Sequence, residues 1–249
     1  MSTTIPKRSV AAIALLRSDF ITQWRNRRSV ILVLLVPVII LISWKGLVAK
    51  LGAPFVLSNC ITIGLTAIGL MGYSNALARD RDRGVFQRLR VAPIPNSLIL
   101  LSRLAVQMAM IILLTLVVFI VAYQNLHISL TAGAYLLGLI AAFVGGALYL
   151  GLGQMIAGLQ KNAETVNATT RLVYFVFIMV GMFGELGLLG EQLKKIVHWS
   201  PYGTVRTIVA AAVQPANWSM DTSYALLVTI GYSLLFALLG IKWFRWNTK

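Results

Sequence analysis

The chain has few acidic residues, few histidines and almost no cysteine. Its 249 residues include 7 Asp and Glu against 22 Lys and Arg, with 2 histidines. The single cysteine, Cys60, excludes an internal disulfide and a zinc site built from several thiolates. Because Cys60 lies within an apolar run, we interpret it as a small hydrophobic residue. His127 and His198 stand outside any motif with metal-ligand spacing.

Motifs of several enzyme classes are also missing from the sequence. It contains no G-x-x-x-x-G-K-[ST] phosphate loop, so it does not bind ATP in the P-loop manner by itself. Neither a G-x-S-x-G nor an H-E-x-x-H motif is present. We therefore expect a chain that is not an enzyme and binds no cofactor or metal itself.

Apolar residues, by contrast, are abundant. The chain is 58% hydrophobic and 12% charged, against about 45–50% and about 25% in a typical soluble domain. A net charge of +15 is compatible with nucleic-acid binding. However, proteins that bind nucleic acid through a basic face do not carry several apolar runs of about 20 residues. We predict an all-α integral membrane protein, with one transmembrane domain over residues 1–249 and no nucleic-acid partner.

Six apolar runs are long enough to cross a hydrocarbon layer of about 30 Å. They lie at about 29–47, 55–77, 98–123, 133–159, 165–189 and 222–242. If the amino terminus is cytoplasmic, the basic residues number 17 inside and 5 outside, and cytoplasmic loops are generally the ones enriched in Lys and Arg. All six tryptophans lie at span ends or beyond, as expected for interfacial anchors. We predict a multi-pass protein of the plasma (inner) membrane with both termini cytoplasmic.

Residues 8–28, which precede the first span, have an amphipathic pattern. Four apolar residues recur at three- and four-residue spacing and share one helical face. They are Ile13, Leu16, Phe20 and Trp24. We predict an interface helix on the cytoplasmic surface of the membrane, in contact with lipid. A simple juxtamembrane anchor is the alternative.

The segment 79–95, between the second and third spans, is unusually charged. Arginine and aspartate alternate up to Gly84, and a short helical turn that carries Phe86 and Leu89 follows until Pro93 ends it. A charged segment with an apolar ridge suits docking into a groove of a soluble partner. The alternative is that its arginines only enforce topology.

The second span carries a stripe of small and polar residues on one helical face. The stripe consists of Asn59, Thr62, Thr66, Gly69 and Tyr73. Such a face either packs tightly on another helix or borders a cavity. The residues alone favour packing.

The fifth span ends in glycines at every third position, namely Gly181, Gly184, Gly187 and Gly190. Because repeated glycine weakens a helix, we expect the helix to break here. We predict that residues 190–217 form a re-entrant outer segment before the last helix, covered by protein. An ordinary outer loop is the alternative.

In their order along the chain, these features resemble those of the type-2 permease family of ATP-binding-cassette (ABC) exporters. The resemblance covers essentially the whole chain. The family's loop after the second span typically reads Glu-Arg-Glu-x-Gly-Thr-x-Glu-x-Leu-x-x-x-Pro. Gly84, Leu89 and Pro93 match this pattern in spacing. Asp82, Val85 and Gln87 depart from it, since the family has glutamate, threonine and glutamate there.

The resemblance implies a complex in which two copies of this chain form the transport path. Two copies of a separate ABC ATPase subunit, which bind ATP and Mg, would dock from the cytoplasm. The residues implied in ATPase coupling are Asp80, Arg81, Asp82, Gly84, Phe86, Gln87, Leu89 and Pro93. The resemblance also places the second and fifth spans beside the path. The residues implied in lining it are Asn59, Thr62, Thr66, Tyr73, Tyr174, Phe177 and Met182.

A path rich in aromatic and methionine side chains, without buried charge, suits a lipophilic or amphiphilic substrate such as a drug, antibiotic or lipid. The resemblance therefore implies the non-catalytic permease subunit of an exporter. Two other classes stay open. One is a self-sufficient channel or ion-driven carrier, and the other is a membrane scaffold without transport.

Overall fold

The computed structural model describes residues 8–91 and 95–243. Within these ranges the chain is helical and has no β-strand, which confirms the all-α prediction. The α-helices are α1 Arg8–Arg25, α2 Arg27–Ser43, α3 Lys45–Leu51, α4 Ala53–Thr66, α5 Ser74–Asp82, α6 Val85–Val91, α7 Asn96–Leu126, α8 Ala132–Leu159, α9 Ala163–Glu185, α10 Glu191–His198, α11 Pro201–Val213 and α12 Met220–Trp243. A π-helical segment, Ala67–Tyr73, joins α4 to α5, and a 3-10 turn, Pro215–Asn217, precedes α12.

The described residues contain five helical units that are long and apolar enough to cross a membrane. They are Ala53–Asp82, Ser97–Leu126, Ala132–Leu159, Ala163–Glu185 and Met220–Trp243. A sixth span arises if Ser9–Arg25 and Val30–Ser43, which meet at 61°, are taken together. The predicted first span corresponds to α2, which has 17 residues and contains Pro37. The fold is thus that of a multi-pass membrane protein.

The two ends of the bundle are distinct. One end carries α1, α5, α6 and the turn between α8 and α9, and we call it the basic end. The opposite end carries α3, α10 and the turns that join α7 to α8 and α11 to α12. The sequence predicts that the basic end is cytoplasmic.

The helix of the fifth span breaks where the glycines predict. α9 ends at Glu185, a few residues before the predicted limit of 189. Gly187 and Gly190 follow with φ of +72° and +95°. Glycine adopts this left-handed backbone without the steric penalty that other residues meet, so the chain can reverse into α10.

Residues 190–217 are helical and enter the bundle, unlike an ordinary surface loop. Tyr149, more than half-way along α8, donates a hydrogen bond from its hydroxyl to the carbonyl of Pro201 at the start of α11 (3.3 Å). Val213, at the other end of α11, borders a crevice with Ala53 and Ile128 at the opposite end of the bundle. α11 therefore runs from the interior back toward that end, packed against α4, α8 and α12.

α8 lies at the centre of the bundle, between α7, α11, α12 and the π-helical segment. It carries glycine where other backbones approach closely. A Cβ at Gly153 would lie 2.3 Å from the carbonyl oxygen of Gly69, and a Cβ at Gly69 would lie 2.5 Å from that of Tyr149. Neither contact leaves room for a side chain. The backbones of the second span and α8 are therefore in direct contact at these glycines.

We expect Gly153→Ala to destabilise the protein by roughly 1–3 kcal/mol, because the new methyl group forces the backbone of the second span to move. Gly231→Ala is the matched control, since a Cβ there meets open space and both glycines are helical. Thermal unfolding in detergent measures both variants. Equal melting temperatures for the two variants would contradict the close approach.

Candidate functional site

The charged segment after the second span is a helical hairpin at the basic end. α5 continues the second span to Asp82, and α6 starts at Val85. Between them, the amide of Gly84 donates to the carbonyl of Arg81 (2.9 Å), and Gly84 adopts φ +68°. A glycine in this conformation is a common helix stop. The short helical segment predicted after Gly84 is present as α6, whereas Pro93 lies outside the described residues.

Two neighbouring residues of this hairpin bind the ends of two other helices. Arg81 is almost fully buried, and its Nη1 donates to the carbonyl of Ala157 in the last turn of α8 (2.6 Å). The Oδ2 of Asp82 accepts from the amide of Ala163, the first residue of α9 (2.7 Å). Carbonyls at helix carboxyl ends attract cations, and amides at helix amino ends attract anions. The positive charge of Arg81 is therefore stabilised at the carboxyl end of α8, and the negative charge of Asp82 at the amino end of α9.

A third attachment joins the hairpin to α7. The guanidinium of Arg103 pairs with the carboxylate of Asp80. The same guanidinium lies over the ring of Phe86, 4.8 Å from its centroid. An ion pair and a cation–π contact thus converge on one α7 side chain. Through Arg81, Asp82 and Arg103, the hairpin is attached to α8, α9 and α7.

The expected apolar ridge on this segment is wrong as a surface feature. Phe86 is completely buried, and Leu89 is half-buried and packs against the core. Both side chains point inward, since Phe86 lies under the guanidinium of Arg103 and Leu89 lies beside Leu77 of α5. Among the hairpin residues whose side chains the structure describes, the exposed ones are Arg79, Asp82, Arg83, Gln87 and Arg88. A partner would therefore meet a polar, mostly basic surface.

α1 packs on α7 beside the hairpin through its polar side. The Ser102 hydroxyl donates to the carboxylate of Asp19, and the Gln107 amide donates to Oε1 of Gln23 (3.3 Å). The four residues of the predicted apolar face of α1, Ile13, Leu16, Phe20 and Trp24, are all exposed, and the first three border a crevice beside α7. This arrangement suits a helix that rests on a lipid surface.

The stripe on the second span packs inside the subunit. Asn59, Thr62, Thr66 and Tyr73 are all buried. Oδ1 of Asn59 accepts from the hydroxyl of Tyr202 (2.8 Å), and the hydroxyl of Tyr73 donates to Oε1 of Gln154 (3.1 Å). The packing interpretation therefore agrees with the structure. Within one subunit, α8 and α11 cover these four residues, and their place beside a path between two copies stays a prediction.

Tyr174, Phe177 and Met182, the path candidates of the fifth span, are half-buried on α9. Tyr174 and Phe177 pack against a small apolar cluster formed by Leu70, Leu152 and Ile156. The outward face of α9 carries other residues, which the sequence did not single out. These are Leu172, Phe175 and Val176, all exposed. A 3.6-residue period identifies such a face but not whether it points inward or outward.

A cluster of charges at the opposite end of the bundle was also missed. Glu185 at the end of α9 pairs with Arg206 of α11 (2.6 Å), and both side chains are largely buried. His198 of α10 lies between Glu185 (3.7 Å) and Asp221 of α12 (2.9 Å). The cluster fastens the re-entrant hairpin to the two spans that flank it in sequence.

A family model described as "ABC-2 type transporter" matches residues 11–211. The match includes the second span, the charged hairpin, α8, α9 and nearly all of α11. The chain belongs to the ABC-2 type transporter family. The chain is also 22% identical over 187 residues to a Bacillus subtilis (strain 168) protein described as "Putative transport permease YvfS", and the match covers 72% of this chain and 74% of that protein.

Membership in the ABC-2 family makes the chain a transmembrane subunit of an ABC transporter, the kind of subunit that works with an ABC ATPase. The hairpin at the basic end is the part of this subunit that joins three helix ends at one surface. It is therefore the candidate site of the ABC-2 subunit for contact with its ATPase.

Phe86→Ala should destabilise this ABC-2 subunit by about 3–5 kcal/mol, because it leaves a cavity beneath Arg103. Phe175→Ala removes the same side chain from an exposed position on α9 and serves as the control. Thermal unfolding in detergent compares the two. A Phe86 variant as stable as the Phe175 variant would show that Phe86 is not a core residue.

Proposed function

We propose that this chain is the permease subunit of an ABC exporter for lipophilic or amphiphilic compounds. Two copies form the path, and two copies of an ABC ATPase subunit dock at the basic end, which is cytoplasmic. The complex lies in the plasma membrane, and both termini of each permease copy face the cytoplasm. ATP and Mg bind to the ATPase subunits.

The attachment of residues 79–91 to three spans is the observation that carries this proposal. Arg81 holds the end of α8, Asp82 holds the start of α9, and Asp80 with Phe86 holds Arg103 of α7. A push on the hairpin is transmitted to these helices because packed elements shift between discrete arrangements rather than deform smoothly. ATP can shift the equilibrium between two such arrangements only if the ATPase contacts them differently.

The exposed surface of the hairpin supplies the contact with the ATPase. Arg83, Gln87 and Arg88 are exposed on this surface, next to the buried Phe86. We infer that the ATPase offers acidic or polar groups to them, since complementary charges steer and orient a complex.

The outward face of α9 supports the proposed class of substrate. Leu172, Phe175 and Val176 form an apolar surface on a span whose most apolar window is only 17% buried. The acidic residue Glu185 lies at the end of α9 and is paired with Arg206. Two such faces opposite each other would enclose an apolar path suited to compounds that partition into the bilayer.

In the double variant Arg83→Glu, Arg88→Glu, we expect the amount of co-purified ATPase subunit to fall about tenfold or more. Like charges opposed at an interface cost several kcal/mol. Lys194→Glu, Lys195→Glu reverses two charges at the opposite end of the bundle and is the matched control. The tagged chain is extracted from its own cells in mild detergent, and bound ATPase is quantified. Unchanged recovery of the ATPase would contradict docking at the hairpin.

Transport by the chain alone in liposomes without ATP would instead favour a channel or carrier.

Asp82→Asn should keep the ATPase bound but lower transport severalfold, because the start of α9 loses its charged partner. Glu164→Gln, in the first turn of the same helix, removes one exposed carboxylate as the control. Substrate efflux per ATP hydrolysed measures coupling in reconstituted vesicles. An efflux ratio that falls equally in both variants would show that the contact between Asp82 and Ala163 does not transmit motion.

A further inference from the structure

An apolar groove runs between α7, α8 and α12 on the outside of the bundle. Its volume is about 630 Å³, within the range of about 300–1,000 Å³ found for small-molecule sites. Alanine, leucine, methionine and phenylalanine side chains form most of its walls, and the polar residues that line it are Gln154 and Ser233. Since the three helices are membrane spans, the groove opens toward lipid.

The groove is as long as one leaflet of the bilayer. Its residues extend from Leu101 to Ile112 on α7 and from Gln154 to Phe143 on α8. Each pair is about 11 residues apart, or roughly 16 Å along a helix that rises 1.5 Å per residue. Half of a hydrocarbon core of about 30 Å is about 15 Å. Leu101 and Gln154 mark the end of the groove nearest the basic end of the bundle.

Gln154 leaves a hydrogen-bond donor at this end of the groove. The side chain is almost fully buried, and its Oε1 accepts from the hydroxyl of Tyr73 (3.1 Å). Its amide nitrogen makes no hydrogen bond to any residue that the structure describes. The Ser233 hydroxyl, in contrast, already donates to the carbonyl of Thr229 (2.9 Å). Because Gln154 lines a groove that faces hydrocarbon, where water is absent, a ligand that brings an acceptor to this amide gains affinity.

The length of the groove and the polar residue at its end match one chain of a phospholipid. A single hydrocarbon chain is narrow enough to fit. In a phospholipid, an ester carbonyl stands where the chain meets the headgroup, at the level of Gln154.

We propose that the groove binds one acyl chain of a membrane phospholipid from the leaflet at the basic end. The ester carbonyl of that chain accepts a hydrogen bond from the Gln154 amide, and the chain end lies between Ile112 and Phe143. Gln154 also holds Tyr73 at the end of the π-helical segment, so the lipid is in indirect contact with the second span. This inference depends on membrane embedding alone and not on the proposed transport function.

A photoreactive lipid tests the site directly. The full chain is reconstituted into phosphatidylcholine vesicles that contain a phosphatidylcholine with a diazirine at the end of one acyl chain. After irradiation, mass spectrometry maps the labelled residues. Labelling should concentrate on Ile112 and Phe143, compared with Leu116 and Ile230, which are exposed near the middle of their helices but outside the groove. Even labelling over all exposed apolar residues would overturn the proposal in favour of bulk lipid.

A tryptophan that fills the groove, compared with one placed outside it, tests whether the labelling depends on the groove. Ala147→Trp, on the α8 wall, should reduce labelling of Ile112 and Phe143 about tenfold, since loss of two buried methylenes suffices for a factor of ten. Leu136→Trp adds an indole elsewhere on α8 and should leave the labelling unchanged. Ala109→Trp fills the groove from α7 and replaces Ala147→Trp if thermal unfolding shows that variant to be misfolded.

An ether-linked version of the same lipid tests the role of Gln154, because it lacks the ester carbonyl. We expect severalfold weaker labelling at the same two residues. Equal labelling by the ester and ether lipids would overturn the assigned hydrogen bond. Cross-links between two protein chains through Ile112 or Phe143 would show instead that a second copy of the chain occupies the groove.

Discussion

Two adjacent side chains of opposite charge, bound to two helix ends of opposite polarity, hold the basic end of the bundle together. Arg81 binds a carbonyl in the last turn of α8, and Asp82 binds the first amide of α9. The contacts depend on each other, because α8 and α9 are joined by a short turn and the two residues follow directly in α5. As a result, the second span, α8 and α9 meet at one point, where a soluble partner can reach them.

Other contacts along the bundle complete the subunit around Arg81 and Asp82. Arg103 closes the hairpin from α7, with Asp80 on one side and the buried ring of Phe86 beneath it. Further into the bundle, Gly69 and Gly153 bring the second span and α8 into backbone contact. At the opposite end, Glu185 and Arg206 fix the re-entrant hairpin. Polar contacts thus fasten both ends, and close glycine packing joins the middle.

Much of this architecture could be predicted from the sequence, but the orientation of individual faces could not. The apolar runs, the short helix after Gly84 and the break among the glycines after Glu185 follow from hydropathy and backbone preference, which are local properties. Phe86 was misplaced because an apolar residue in a charged segment suits a docking ridge and a core position equally well. Its cover comes from Arg103, in the next span. Likewise, the hydrogen-bond donor for Oδ1 of Asn59 is the hydroxyl of Tyr202, 143 residues away.

Hydropathy and glycine placement were sufficient to predict a helical chain that crosses a membrane several times and a helix break near Gly187. These properties depend on side-chain hydrophobicity and on glycine and proline within a few residues. The packing of the second-span stripe, the burial of Phe86 and the place of Gln154 beside a groove emerge from the assembled helices. Burial and hydrogen bonding depend on two surfaces, and for each of these residues the second surface lies on another helix.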